Sequence, residues 1–110
     1  MGIFAPLLFF MKKLLLSIVL FAGLHQLGQA QITIAEARSL PTGTVVTVKG
    51  LVLNGSELGD IRYMQDNTGN IAAYAATLLD GVLRGDSIEV TGPLFSYNSL
   101  LEISPASSVT

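Results

Sequence analysis

The chain has no cysteine and no tryptophan, and its single histidine is His25. Without cysteine there is no disulfide framework, no thiolate metal site, no cysteine nucleophile and no lipid-modified N-terminal cysteine. One histidine excludes a multi-histidine zinc centre. Charge is scarce too: 13% of the 110 residues are Asp, Glu, Lys or Arg, against 50% hydrophobic. A chain of this length accommodates one domain.

The hydrophobic residues that are present crowd the N-terminal end. Lys12 and Lys13 precede an apolar run, Leu14 to Leu24, and a polar stretch then leads to Gly28 and Ala30. Basic patch, apolar run and small residues before a cut make up the grammar of a secretory signal peptide. Gly28 and Ala30 take the two positions where a signal peptidase admits only small side chains, so residues 1–30 are expected to be removed. Met11 stands directly before Lys12 and is the expected true start. The apolar run is too short for a transmembrane helix, which needs about 20 residues. His25 falls inside this leader and receives no role.

The remaining residues, 31–110, carry Arg38, Lys49, Arg62 and Arg84 against eight carboxylates, a net charge of −4. Nucleic-acid binders usually show a basic footprint, and this segment lacks one overall.

Thr33-Ile-Ala-Glu36 fits a capping box and predicts a short helix over 34–39, stopped by Pro41 and Gly43. Thr44 to Leu53 is rich in β-branched residues and predicts a first strand, with Val46, Val48 and Val52 on one face and Gly50 at a bend or bulge. Asn54 to Gly59 is a loop by composition. Asp60 to Asp66 and Ile71 to Tyr74 predict strands two and three, joined by a turn in which Gly69 supplies positive φ. Ala75 to Leu83, rich in alanine and leucine, predicts one or two helical turns. Ser87 to Phe95 alternates as strand four, with Gly92-Pro93 at a bend or edge, and Leu100 to Ile103 forms strand five. The order β-β-β-α-β-β predicts an all-β fold: a five-stranded Greek-key OB-fold barrel over 31–110 with a short N-terminal helix. An incomplete β-sandwich is the alternative, although that architecture usually needs about seven strands.

Four stretches carry a family resemblance: Val46-Thr-Val-Lys-Gly-Leu-Val52; Tyr63-Met-Gln-Asp66 with Gly69; Arg84-Gly-Asp-Ser-Ile-Glu-Val-Thr-Gly92; and Leu101-Glu-Ile-Ser-Pro105. Together they resemble the secreted OB-fold modules of Bacteroidetes-type bacteria. The resemblance spans nearly all of the mature segment and rests on fold motifs, namely turn glycines and core valines. It implies a module that commonly precedes nuclease, phosphatase or sorting domains in larger exported proteins, so the chain is expected to be either a stand-alone module or part of such a protein.

OB-folds bind ligands on the face of strands two and three, framed by the loops between strands one and two and between strands four and five. That surface draws Arg62, Tyr63, Gln65 and Tyr74 from the strands, Asn54 and Glu57 from the first loop, and Tyr97 and Asn98 from the second. Two tyrosines side by side could stack on bases or sugar rings, or simply cover a barrel flank. Lys49 and Arg62 could contact phosphate, a thin patch beside eight carboxylates. Asp60, Asp66 and Asp86 lack the alternating spacing of a calcium loop and each abuts a turn, so no metal and no cofactor is expected. Arg84-Gly85-Asp86 spells an adhesion tripeptide but supplies the turn into strand four. With no histidine after the leader and one lysine, a small barrel has no apparent catalytic set.

The expectation is therefore a secreted or periplasmic, monomeric, non-catalytic binding module. Its expected partners are single-stranded nucleic acid, carbohydrate or peptide. The competing expectation is a structural spacer or interaction domain attached to an enzyme domain.

Overall fold

The computed structural model describes residues 30–110, so the expected leader, apart from Ala30, lies outside the described residues. A short helix, α1 (Ile34–Arg38), precedes six strands: β1 (Val45–Val52), β2 (Ile61–Gln65), β3 (Asn70–Tyr74), β4 (Ser87–Tyr97), β5 (Leu100–Ile103) and β6 (Ser108–Val109). Among the described residues no helix is long and apolar enough to cross a membrane.

β1 pairs with β2, β2 with β3, β3 with β5, β5 with β4, and β4 with β1 again. That sequence of pairings closes a ring of five strands, an OB-like barrel. The β3–β5 pairing is parallel and the other four are antiparallel. Closure removes the unpaired edges that an open sheet of this size would expose. Alternation in the strands fills the interior. Val46, Val48 and Val52 of β1, Met64 of β2, Ile71 and Ala73 of β3, Ile88, Val90 and Leu94 of β4, and Ile103 of β5 form one buried cluster.

Two glycines permit the barrel's tight crossings. At Gly50, where β1 passes from β4 toward β2, an added Cβ would lie 2.8 Å from the Gln65 carbonyl oxygen. At Gly92 it would lie 2.8 Å from Cγ2 of Ile103 and 3.0 Å from the Pro105 carbonyl oxygen. Backbone comes so close at both places that a side chain has no room. Gly92-Pro93 accordingly sits inside β4, paired with β1, rather than at an edge.

The capping box forms as expected: Oγ1 of Thr33 accepts from the Glu36 amide at 3.1 Å, and the Glu36 carboxylate accepts from the Thr33 amide at 3.2 Å. The helix ends at Arg38, one residue early. Strand five has the predicted bounds, and β4 runs two residues further than predicted, to Tyr97. The β4–β5 turn is made by Asn98 and Ser99, both at positive φ (49° and 68°), the hairpin geometry that matches strand twist.

Three expectations fail. Residues 75–86 contain turns and no helix. Gly81 takes φ 80° and Gly85 φ 91°, which breaks a segment already too short to offset the cost of helix nucleation. Gly69 does not adopt positive φ. The Asp66 carboxylate organises that turn instead, accepting from the amides of Thr68 (2.7 Å) and Gly69 (3.1 Å). Finally, β6 pairs with β4 through Val90 and Thr91, a strand that the Ser- and Ala-rich tail does not advertise.

Candidate ligand-binding groove

The outer faces of β2, β3, β5 and β4 make one continuous surface. Register places Tyr63 opposite Ala72, Ala72 beside Glu102, and Glu102 opposite Phe95. One step along, Ile61 faces Tyr74, and toward the hairpin Tyr97 faces Leu100. Ala72 contributes only a methyl group, so this row is low between Tyr63 and Glu102. Leu58, on a 3-10 turn (Ser56–Leu58) in the β1–β2 loop, stands beside it. The result is an open groove of about 680 Å³ whose walls carry Tyr63, Tyr74, Phe95 and Tyr97 together with Asp60 and Glu102. Phe95 is 47% exposed and Tyr97 is 59% exposed, so both are left largely outside the core.

Three of the predicted site residues, Tyr63, Tyr74 and Tyr97, meet in this groove. The others do not. Arg62 faces inward and is 2% exposed, correcting its expected place on the outer face. Its guanidinium donates to the carbonyls of Val82 (3.0 Å), Gly59 (2.7 Å), Ile61 (3.0 Å) and Leu79 (3.2 Å). Strand alternation is the reason, since Arg62 shares its face with Met64. Lys49 is exposed on β1, in register with Glu89 of β4, away from the groove. Gln65 is exposed and pairs with Asn70. Asn98 is spent on the hairpin turn.

The loop candidates are structural as well. Asn54 is buried, donating to the carbonyls of Gly55 and Ile61 and accepting from the Tyr63 amide at 2.7 Å. Glu57 forms an exposed ion pair with Arg84 at 2.9 Å, a contact of small energetic weight. The three aspartates considered for calcium are dispersed: Asp60 lines the groove, Asp66 holds α1, and Asp86 accepts from the Leu83 amide.

Sequence reasoning missed Leu58, Phe95, Leu100 and Glu102. Phe95 and Glu102 were within reach, because alternation from Leu94 and from Ile103 turns each of them outward.

Glu102 is the unusual member. It lies on the outer face yet is only 6% exposed, shielded by its neighbours on β3 and β4. Burial raises its pKa above the ordinary glutamate value of 4.5, and the Ser104 hydroxyl offsets part of that rise. The folded state therefore holds this proton more tightly than the unfolded chain does. Its contribution is most favourable at or below pH 4.5 and declines as pH rises through the elevated native value. Asp60, Tyr63, Tyr74 and Tyr97 are the other titratable groups on these walls. Glu102→Gln is expected to raise the melting temperature at neutral pH and leave it unchanged in acid. Thermal melts across that range check this; a variant less stable at neutral pH would contradict it.

The fold places this chain in a class: small OB-like β domains. It is similar to the solved structure of the hypothetical protein ygiW from E. coli, with a TM-score of 0.60 and 22% identity over 77% of this chain and 98% of that one. That likeness shows the fold. No protein-family model and no curated protein matches the chain.

Proposed function

We propose that this chain is an exported, non-catalytic binding module that holds its ligand in the groove of Tyr63, Tyr74, Phe95 and Tyr97. The observation that carries the reading is the convergence of four aromatic rings, from β2, β3 and β4, on one groove framed by the β1–β2 loop and the β4–β5 hairpin. OB-folds take their ligands in that region. Apolar walls with a few polar groups are the usual make-up of a ligand site. The leader, read over residues 1–30 with Met11 as its expected start, supports export, and the family resemblance supports a module of larger exported proteins from Bacteroidetes-type bacteria.

Of the three ligands expected, single-stranded nucleic acid, favoured by fold analogy, has less support from the groove than carbohydrate. Binding of its backbone depends on cations, whereas Arg62 is tied up inside the barrel and Lys49 sits elsewhere. The groove walls carry carboxylates. Carbohydrate keeps its support, since rings can stack on tyrosine while hydroxyls donate to Asp60 or Glu102.

An amide-resolved NMR titration tests the reading. The panel is an oligothymidylate at low salt, a neutral oligosaccharide, and small uncharged and ammonium fragments. At least one member is expected to shift Tyr63, Tyr74, Phe95 and Tyr97 together, with the oligothymidylate acting weakly. A panel that moves none of these residues would overturn the groove and favour the spacer reading.

A further inference from the structure

Resting on the reading of the groove as a binding surface, we propose that its ligand carries an organic ammonium group, seated among the aromatic rings and against Glu102. Three observations converge on this chemistry. The groove presents four aromatic side chains, whose π faces attract cations. Its walls carry two carboxylates, Asp60 and Glu102, and no lysine or arginine. Glu102 is more than nine-tenths buried and takes part in no ion pair among the described residues.

The third observation has the most weight. Glu102 is 6% exposed, yet among the described residues no side-chain oxygen is both sealed from solvent and unpartnered, so its carboxylate oxygens stay open to the groove. A carboxylate held largely out of water favours a counter-charge beside it. Inside the barrel the buried guanidinium of Arg62 has four carbonyl acceptors. Glu102 has the Ser104 hydroxyl beside it and no cation. Its side chain is aimed into the groove, where an incoming ammonium would supply the missing counter-charge. The net charge of −4 over 31–110 favours the approach of such a ligand. Aromatic walls suit a weakly hydrated quaternary or alkylated ammonium better than a strongly hydrated primary one, because less water must be stripped from it.

The test compares choline with neohexyl alcohol, in which an uncharged carbon replaces the nitrogen, and with butylammonium as the primary amine. Each is titrated into the protein by NMR. Choline is expected to shift Tyr63, Phe95 and Tyr97 and to bind about tenfold or more tightly than neohexyl alcohol. Glu102→Gln, checked by thermal melting to be folded, should cut that preference about threefold or more, the aromatic rings and Asp60 keeping the remainder. Tyr97→Leu, at an exposed position, should weaken choline without a loss of fold. Equal affinities for choline and neohexyl alcohol would overturn the ammonium assignment and leave the groove standing as an apolar site. A preference for choline that is undiminished in Glu102→Gln would overturn the role of Glu102. If neither probe binds, the assignment falls, and the wider panel then decides whether the groove falls with it.

Discussion

Replacing Arg62 by methionine is expected to lower the unfolding free energy by about 3 kcal/mol. Methionine keeps a long apolar stem in the same space, so the loss reports on the guanidinium. Four hydrogen bonds from a charged donor disappear, and each such bond is worth about 1.5–3 kcal/mol. The full sum is not reached, because three of the acceptors are not left alone. The Ile61 carbonyl also accepts from Asn54, the Leu79 carbonyl also accepts from the Val82 amide, and Gly59 is exposed to water. The Val82 carbonyl has no such substitute among the described residues. Relief from burying a cation offsets part of the loss as well. Urea titration should show a lower midpoint at unchanged slope, with faster amide exchange confined at first to residues 75–86. A loss below about 1 kcal/mol would show that the segment holds itself in place without the guanidinium.

That segment also marks where the sequence was legible and where it was not. The strands could be read because β-branched residues alternate at Val46, Val48, Ile88 and Val90, and a period of two has one packing solution in a small barrel. The capping box could be read because all its partners lie within four residues. Ala75 to Leu83 was misread because helix propensity is a weak preference, and here the carbonyls found a better donor 17 residues away, from Leu79 to Arg62. The charge of Arg62 argued for the surface while its alternation with Met64 argued for the interior. Alternation prevailed because backbone carbonyls can satisfy a guanidinium as water does. Tyr63 and Tyr74 were legible for the same reason of strand parity, and Tyr97 by its place in the connection between strands four and five. The burial of Glu102 was not, since it depends on Ala72, which is distant in sequence and meets it only through the parallel β3–β5 register, as well as on Phe95 across the β4–β5 hairpin. The most telling residue of the groove is thus one that only the folded barrel defines.

Asp66→Ala is expected to cost about 2 kcal/mol at neutral pH, and the loss is expected to disappear in acid. The helix α1 has five residues, too few to persist on its own. Its first amides are met by three different side chains: Ile34 donates to Asp66 at 2.9 Å, Ala35 to Thr68 at 3.0 Å, and Glu36 to Thr33 at 3.1 Å. Asp66 also accepts from Thr68 and Gly69, so one carboxylate ties the helix to the β2–β3 turn. Partial burial would raise its pKa, but the Thr68 hydroxyl and the amides of Ile34, Thr68 and Gly69 outweigh it and hold the pKa below the ordinary value of 3.8. The folded state thus binds this proton less tightly than the unfolded chain. The stabilisation is complete above pH 3.8 and is lost as pH falls through the depressed native value. Urea titrations of both proteins at neutral pH and in strong acid measure the difference directly. Wild type and variant should converge in acid, where the wild-type carboxyl is protonated. A gap of constant size would mean that the side chain acts through packing. Asp66 lies outside the groove, so the tyrosine shifts produced by a bound ligand should be the same in the variant under conditions where it is folded.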